Sequence, residues 1–179
     1  MDAVTRRVWL LRHAKSSWDH PGLADEERPL AARGRRAAAA MASHLAEEGV
    51  RPDLVLCSSG LRARETLAAV LPSLGDELEV RIEPDLYTFD ASRVVERLRR
   101  VSDEISSVMV VGHNPALQEA ALAIASTGKD RERVAEKFPT GALVVVDLAD
   151  GSWDSIGDGG GELVRLVAPS DLEGTSDPS

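Results

Sequence analysis

Val8-Trp9-Leu10-Leu11-Arg12-His13 runs apolar for four residues and then stops on a guanidinium and an imidazole. A short unbroken apolar run of this kind reads as a strand buried on both faces of a parallel sheet. The pattern recurs twice. Leu54-Val55-Leu56-Cys57 ends at Ser58-Ser59-Gly60, and Val108-Met109-Val110-Val111 ends at Gly112-His113. Helical patterns lie between the runs. Gly34, Ala38, Met41 and Leu45 recur at helical spacing up to the stop at Gly49, with Pro29 expected in the first turn. Residues 61–74 carry Leu67, Val70, Leu71 and Leu74 on one side, and Asp90 is a plausible N-cap for a helix with Val94, Val95, Leu98 and Val101. Asn114-Pro115 offers a cap and first position for a helix through Leu117, Ala121 and Ile124.

This alternation predicts an α/β fold, a three-layer α/β/α sandwich with a mostly parallel central sheet. Residues 79–82 are a weaker third strand. Residues 143–148 and 163–167, separated by Asp150-Gly151 and a glycine-rich turn, are expected to pair as a hairpin and give a C-terminal antiparallel edge. Residues 128–137 form a charged connection without an apolar face, read as a loop or exposed helix. One domain is expected over residues 1–170, followed by a frayed polar tail over 171–179.

Composition narrows the function. The 179 residues hold 21 Lys plus Arg against 30 Asp plus Glu, a net charge of −9. Nucleic acid and anionic membrane are therefore poor partners, and a local cluster of arginines becomes more informative. The single cysteine, Cys57, allows no intrachain disulfide and suits a reducing compartment. No run approaches a signal peptide or a membrane span, so a cytoplasmic location is expected. Oligomeric state is not legible.

Ligands of open α/β sheets bind beyond the carboxyl ends of the strands. Here those ends supply Arg12 and His13 with Lys15 and Ser16, then Ser58 and Ser59 running into Arg62 and Arg64, then His113 and Asn114. Guanidinium, hydroxyl and imidazole together suit an anion. Arg62 and Arg64 in a first helical turn oppose the helix dipole at about 0.3–1 kcal/mol each, a sign that a bound phosphate would reverse. Simple solvation of both arginines is the plainer reading.

Leu11-Arg12-His13-Ala14, residues 58–66 (Ser-Ser-Gly-Leu-Arg-Ala-Arg-Glu-Thr) and Val111-Gly112-His113-Asn114-Pro115 resemble the three signatures of the histidine phosphatase superfamily. The short length, Arg28-Pro29-Leu30, and Phe138-Pro139-Thr140-Gly141 before a late strand resemble its small phosphohistidine phosphatase (SixA-like) branch. The resemblance implies His13 as nucleophile, Arg12 and Arg62 as phosphate clamps, and His113 as the partner imidazole. Lys15, Ser16, Ser59 and Asn114 become candidate phosphate or substrate contacts. A covalent phosphohistidine on His13, hydrolysed by water, needs no metal or other cofactor if the arginines and an imidazolium neutralise the charge.

The general acid is the weak link. Glu83 and Asp85 are the candidates, and the reading of both as loop carboxylates stands beside that one. Small phosphohistidine phosphatases are similar in lacking a clear acid, and a P–N bond breaks with less help than an alkyl ester. The missing acid therefore leans the substrate towards phosphohistidine in a protein partner. Ala14 replaces the glycine common after Arg-His, and Asp19 stands where mutases of the superfamily carry Asn, which argues against a phosphoglycerate mutase-like phosphotransferase. A small-molecule phosphomonoester phosphatase and a non-catalytic phospholigand-binding module would use the same arginine pocket. A zinc site on His13 and His113 with Asp19 or Asp85 is disfavoured by the adjacent arginines.

Overall fold

The computed structural model describes residues 5–149 and 151–173. Seven strands form one sheet: β1 (Arg6–Arg12), β2 (Leu54–Ser58), β3 (Glu79–Glu83), β4 (Ser107–Gly112), β5 (Ala125–Thr127), β6 (Leu143–Leu148) and β7 (Gly161–Val167). Their spatial order is β3-β2-β4-β1-β6-β7-β5. β3, β2, β4 and β1 run parallel, β6 is antiparallel to both β1 and β7, and β5 pairs parallel to β7. The sheet is thus mostly parallel, and the expected hairpin of β6 and β7 is present. That hairpin lies one strand in from the border, because the three-residue β5 forms the edge itself.

Among the described residues six α-helices flank the sheet: α1 (Ala32–Glu47), α2 (Leu61–Val70), α3 (Ala91–Arg99), α4 (Ala116–Ile124), α5 (Arg131–Glu136) and α6 (Pro169–Leu172). Strand alternation divides the core in two. Trp9 and Leu11 of β1 pack with Met41, Leu45 and Leu67 on the α1–α2 face. Val8 and Leu10 pack with Val94, Leu98, Leu117 and Ile124 on the α3–α4 face. Two buried layers of this kind account for three layers of structure.

Three local expectations change. Pro29 lies outside α1, whose N-cap is Ala31; the Pro29 carbonyl instead accepts from Ser17 N (2.8 Å), and Leu30 bridges to Ser16. The charged connection contains α5, and it does have an apolar anchor, since Val134 is fully buried. The first residues of the predicted tail, Asp171 and Leu172, belong to α6; residues 174–179 lie outside the described residues. Among the described residues no helix is long and apolar enough to cross a membrane.

Two close approaches fix the segment after β1. A Cβ on Gly34 would stand 2.1 Å from the Lys15 carbonyl oxygen, so only glycine lets α1 pack there. Ala14, buried beneath, donates its N–H to Thr66 Oγ1 of α2 (3.0 Å), and that hydroxyl donates to the Arg62 carbonyl (2.7 Å).

Candidate active site

The parallel register sets Arg12 beside Gly112 and Cys57 beside Val111. The carboxyl ends of β1, β2 and β4 therefore open on one rim, and the predicted residues meet there. The His13 and His113 ring centroids are 5.2 Å apart, the rings tilted by 51°. Both are buried, at 7% and 1% exposure.

His13 Nδ1 lies 2.7 Å from the Ala14 carbonyl oxygen. A carbonyl only accepts, so Nδ1 carries the proton and Nε2 keeps its lone pair. Arg62 Nε points at that Nε2 from 3.4 Å. Burial, reinforced by Arg62, Arg12 and Arg28, pushes His13 down to about 4 despite the opposing pull of the Ala14 hydrogen bond. The imidazole is neutral at neutral pH, as a nucleophile requires. His113 is pushed down to about 3, first by burial and then by His13 and Arg62. Its Nε2 lies 2.7 Å from Ser58 Oγ, which accepts from Gly60 N (3.1 Å), while its Nδ1 is buried with no partner among the described residues. A Cβ on Gly60 would come within 3.1 Å of the His113 ring, so glycine opens the space the ring occupies.

Arg62, 4% exposed, enters from the first turn of α2. Its Nη1 donates to the Asp25 carbonyl (2.7 Å) and its Nη2 to the Asp25 carboxylate (3.0 Å). The same carboxylate accepts from Arg28 Nη1 (3.1 Å) and from the Tyr87 hydroxyl. Tyr87, Arg62 and Arg28 together hold the Asp25 carboxyl at about 2, so it is an anion. Arg28 also donates to Ser16 Oγ (2.6 Å), and its guanidinium lies over the exposed Trp18 ring. Tyr87 and Phe89 stand edge-on to His113 and wall the pocket. Arg12 is half-buried; its Nη1 donates to the Phe138 carbonyl (2.8 Å), its Nε has no partner among the described residues, and burial beside Arg62 lowers its pKa.

Several predicted contacts sit elsewhere. Asn114 has its side chain committed to local structure: Oδ1 accepts from Gln118 N, and Nδ2 donates to Gln118 Oε1 and the Phe138 carbonyl, each at 3.2 Å. The N-cap of α4 is Pro115, not the expected Asn114; Asn114, one residue before it, meets a first-turn N–H of the helix and is no free phosphate donor. Ser59 donates to Glu26 Oε1 (2.6 Å), and the hydroxyl that reaches His113 is that of Ser58. Lys15 is exposed and lines an adjoining groove. Glu83 forms a two-pronged ion pair with Arg97, at 2.7 and 2.8 Å. Asp85 is exposed in the turn Pro84–Leu86. Among the described residues no hydrogen bond links either carboxylate to His13 or His113, and Glu83 is committed to Arg97. Cys57 is buried, and burial pushes its thiol up to about 12, so it stays protonated in the core at neutral pH.

The sequence reading did not single out Asp25, Arg28, Ser58 or Tyr87 as site residues. Two signals pointed there: Arg28 opens the run that carried part of the resemblance, and Tyr87 is the chain's single tyrosine, two residues beyond the candidate acid Asp85.

Comparisons with known proteins place the chain in a family and match its fold. The model of the histidine phosphatase superfamily (branch 1) matches residues 8–91. The chain is similar to the uncharacterised protein MT1313 of Mycobacterium tuberculosis (strain CDC 1551 / Oshkosh), 38% identical over 163 residues that cover 89% of this chain and 99% of the relative. A solved structure from Nakamurella multipartitia, assigned as a phosphohistidine phosphatase SixA, has a TM-score of 0.78 at 27% identity and covers 94% of this chain and 99% of its own. The protein histidine phosphatase SixA complexed with tungstate gives 0.75 at 26% identity, covering 93% and 99%.

Proposed function

The chain belongs to the histidine phosphatase superfamily and is a phosphatase; from that premise we propose that it removes the phosphoryl group from phosphohistidine in a protein, through a covalent intermediate on His13 and without a metal ion. The observation that carries the substrate class is the state of the acid in the pocket. Asp25 is the carboxyl group that hydrogen-bonds Arg62, and it is pinned near 2, so it has no proton to give at neutral pH. A site without a protonated acid favours a leaving group that needs little help, and a phosphoramidate nitrogen is one.

In the proposed cycle the His13 Nε2 lone pair attacks phosphorus in line as the bond to the substrate nitrogen breaks. The departing imidazole keeps the bonding pair and takes its proton from solvent. Water then attacks the phosphorus on His13, the P–Nε2 bond breaks, and inorganic phosphate leaves with the excess proton passing to solvent. Arg62 and Arg12 sit where a phosphoryl group on His13 would need donors, and preorganised guanidinium charge stabilises its equatorial oxygens. Phosphate would also favour protonation of His113, whose Nδ1 has no partner among the described residues. Tungstate is a tetrahedral oxyanion, and its complex with SixA supports an oxyanion site on this fold.

The test is phosphate release from a phosphohistidine protein beside a panel of sugar phosphates, with and without chelator. Preference for phosphohistidine, indifference to chelator, and loss of both turnover and a labelled adduct in His13→Ala are the expected results. A preference for sugar phosphates transfers the reading to a small-molecule phosphatase, and adduct-free turnover by His13→Ala refutes the nucleophile.

A further inference from the structure

We propose that the cleft between α1, residues 137–140 and the C-terminal turn docks an acidic polypeptide segment flanking the phosphorylated residue. The inference rests on the phosphohistidine reading above and adds to it how the partner protein is chosen. The cleft is about 870 Å³ and meets the phosphoryl pocket at Arg12, which lines both. Lys15, Arg33, Arg36 and Lys137 also line it, against a single carboxylate, Glu173.

What sets these cations apart is that they line one cavity. The molecule is acidic, at −9, and many of its arginines find carboxylates, as Arg7 does Asp147, Arg97 does Glu83 and Arg165 does Glu48. Arg35, Arg51, Arg64, Arg93, Arg100 and Arg131 form no ion pair among the described residues, but none of them lines this cleft. Lys15, Arg33, Arg36 and Lys137 are all exposed, and none forms an ion pair among the described residues. Clustering free positive charge costs self-repulsion, which a bound anion relieves. Arg33, Arg36, Ala37 and Ala40 follow i, i+3, i+4, i+7 spacing and so share one stripe of α1. Arg33 stands in a first helical turn that holds no acidic residue, against the helix dipole, as Arg62 does in α2.

The occupant follows from the lining. Ala37 and Ala40, with Pro139 and Pro169, give a shallow apolar floor beneath the cations. Such a surface suits carboxylates interleaved with apolar side chains. Long exposed cations read charge density and lack the fixed polar groups that orient a small ligand. A nucleic acid would meet the field of the whole acidic protein beyond one short patch.

Two synthetic peptides test this, each with one phosphohistidine, one flanked by Asp and Glu and the other by Asn and Gln. The proteins are the wild type and R33Q/R36Q/K137Q, whose replaced side chains make no hydrogen bond that folding needs. The wild type should favour the acidic peptide by about tenfold in kcat/KM, the scale of a few exposed ion pairs acting together. In the triple variant that ratio should fall close to one, with turnover of p-nitrophenyl phosphate unchanged. No preference in the wild type, or a preference that survives the variant, overturns the proposal. So does a variant defect confined to sugar phosphates or to binding of a single-stranded oligonucleotide. If neither peptide is turned over, the phosphohistidine reading fails, and affinity for the unphosphorylated acidic peptide still decides the groove. Binding lost in the variant then supports it, and binding absent or equal overturns it.

Discussion

In the phosphoryl pocket Arg62 is buried and every nitrogen of its guanidinium faces a partner, Asp25 on two of them and His13 on the third. In the groove that shares Arg12 with it, Arg33 and Arg36 stand exposed and form no ion pair among the described residues. The first arrangement works in a low dielectric, where a fixed donor interacts strongly and loses little by reorganising. The second lies in water, where each charge is screened and gains little. On the proposed reading, chemistry belongs to the buried region and partner choice to the exposed one. The division breaks if a pocket residue proves dispensable or a groove residue proves essential.

The largest effect is expected at Arg62. Arg62→Met removes the buried fork and leaves Asp25 without its main counter-charge. Removing one preorganised donor costs about 10²–10³-fold in turnover. Arg33→Gln, which removes the same charge from the groove, should leave kcat on p-nitrophenyl phosphate unchanged. Steady-state kinetics on the two variants checks the contrast, and equal losses erase it.

A pH titration of stability comes next, because the pocket holds two buried histidines and the groove lining holds none. In the folded chain His13 titrates at about 4 and His113 at about 3, both below the ordinary 6.5. The unfolded chain therefore binds more protons across that window. Stability should be complete above pH 6.5 and decline as pH falls through 4, by a few kcal/mol. Thermal melts at pH 7.5, 6 and 4.5 should show the decline, and His113→Gln should flatten part of it.

Much of the pocket was legible in the sequence, for a physical reason, whereas the groove was not. Apolar runs that end on polar residues announce buried parallel strands, and the sheet order then brings those ends together without further information. Arg12, His13, Arg62 and His113 were found that way. Ser58 was passed over for Ser59, although strand alternation puts Ser58 on the face opposite the buried Cys57. Asn114 was read both as a helix cap and as a phosphate contact, and its bonds to Gln118 use the atoms the contact would need. Glu83 looked like an acid because its partner Arg97 lies across a helix, 14 residues on. Asp25 sits in an aperiodic loop whose meaning comes from Arg62 and Tyr87, 37 and 62 residues away. β5 left no trace, since the apolar helix α4 runs straight into it.

A smaller effect is expected at Asp25. The carboxylate orients Arg62 but also sets a negative charge beside the place a phosphate would take. Asp25→Asn keeps the shape and removes the charge, so product phosphate should bind about fivefold more tightly, the scale of one partly screened charge. Inhibition by inorganic phosphate measures this. Weaker inhibition in Asp25→Asn would mean that fixing the guanidinium outweighs the repulsion, and would extend the rigidity of the pocket to its outer ring.

Salt gives the smallest effect and separates the regions without a mutation. Raising ionic strength from about 0.05 to 0.5 M shortens the Debye length from roughly 14 to 4 Å. Exposed groove cations lose most of their pull over that range, whereas the buried Arg62–Asp25 contact is shielded by protein. KM for an acidic phosphohistidine peptide should rise about threefold, the remainder of a few weak exposed pairs once screened. Its kcat should stay level, as should both constants for the Asn/Gln peptide, whose flanks carry no charge for the groove to read. A fall in kcat with salt for both peptides would mean that the pocket, too, is open to counter-ions, and the contrast between a dry site and a wet one would go with it.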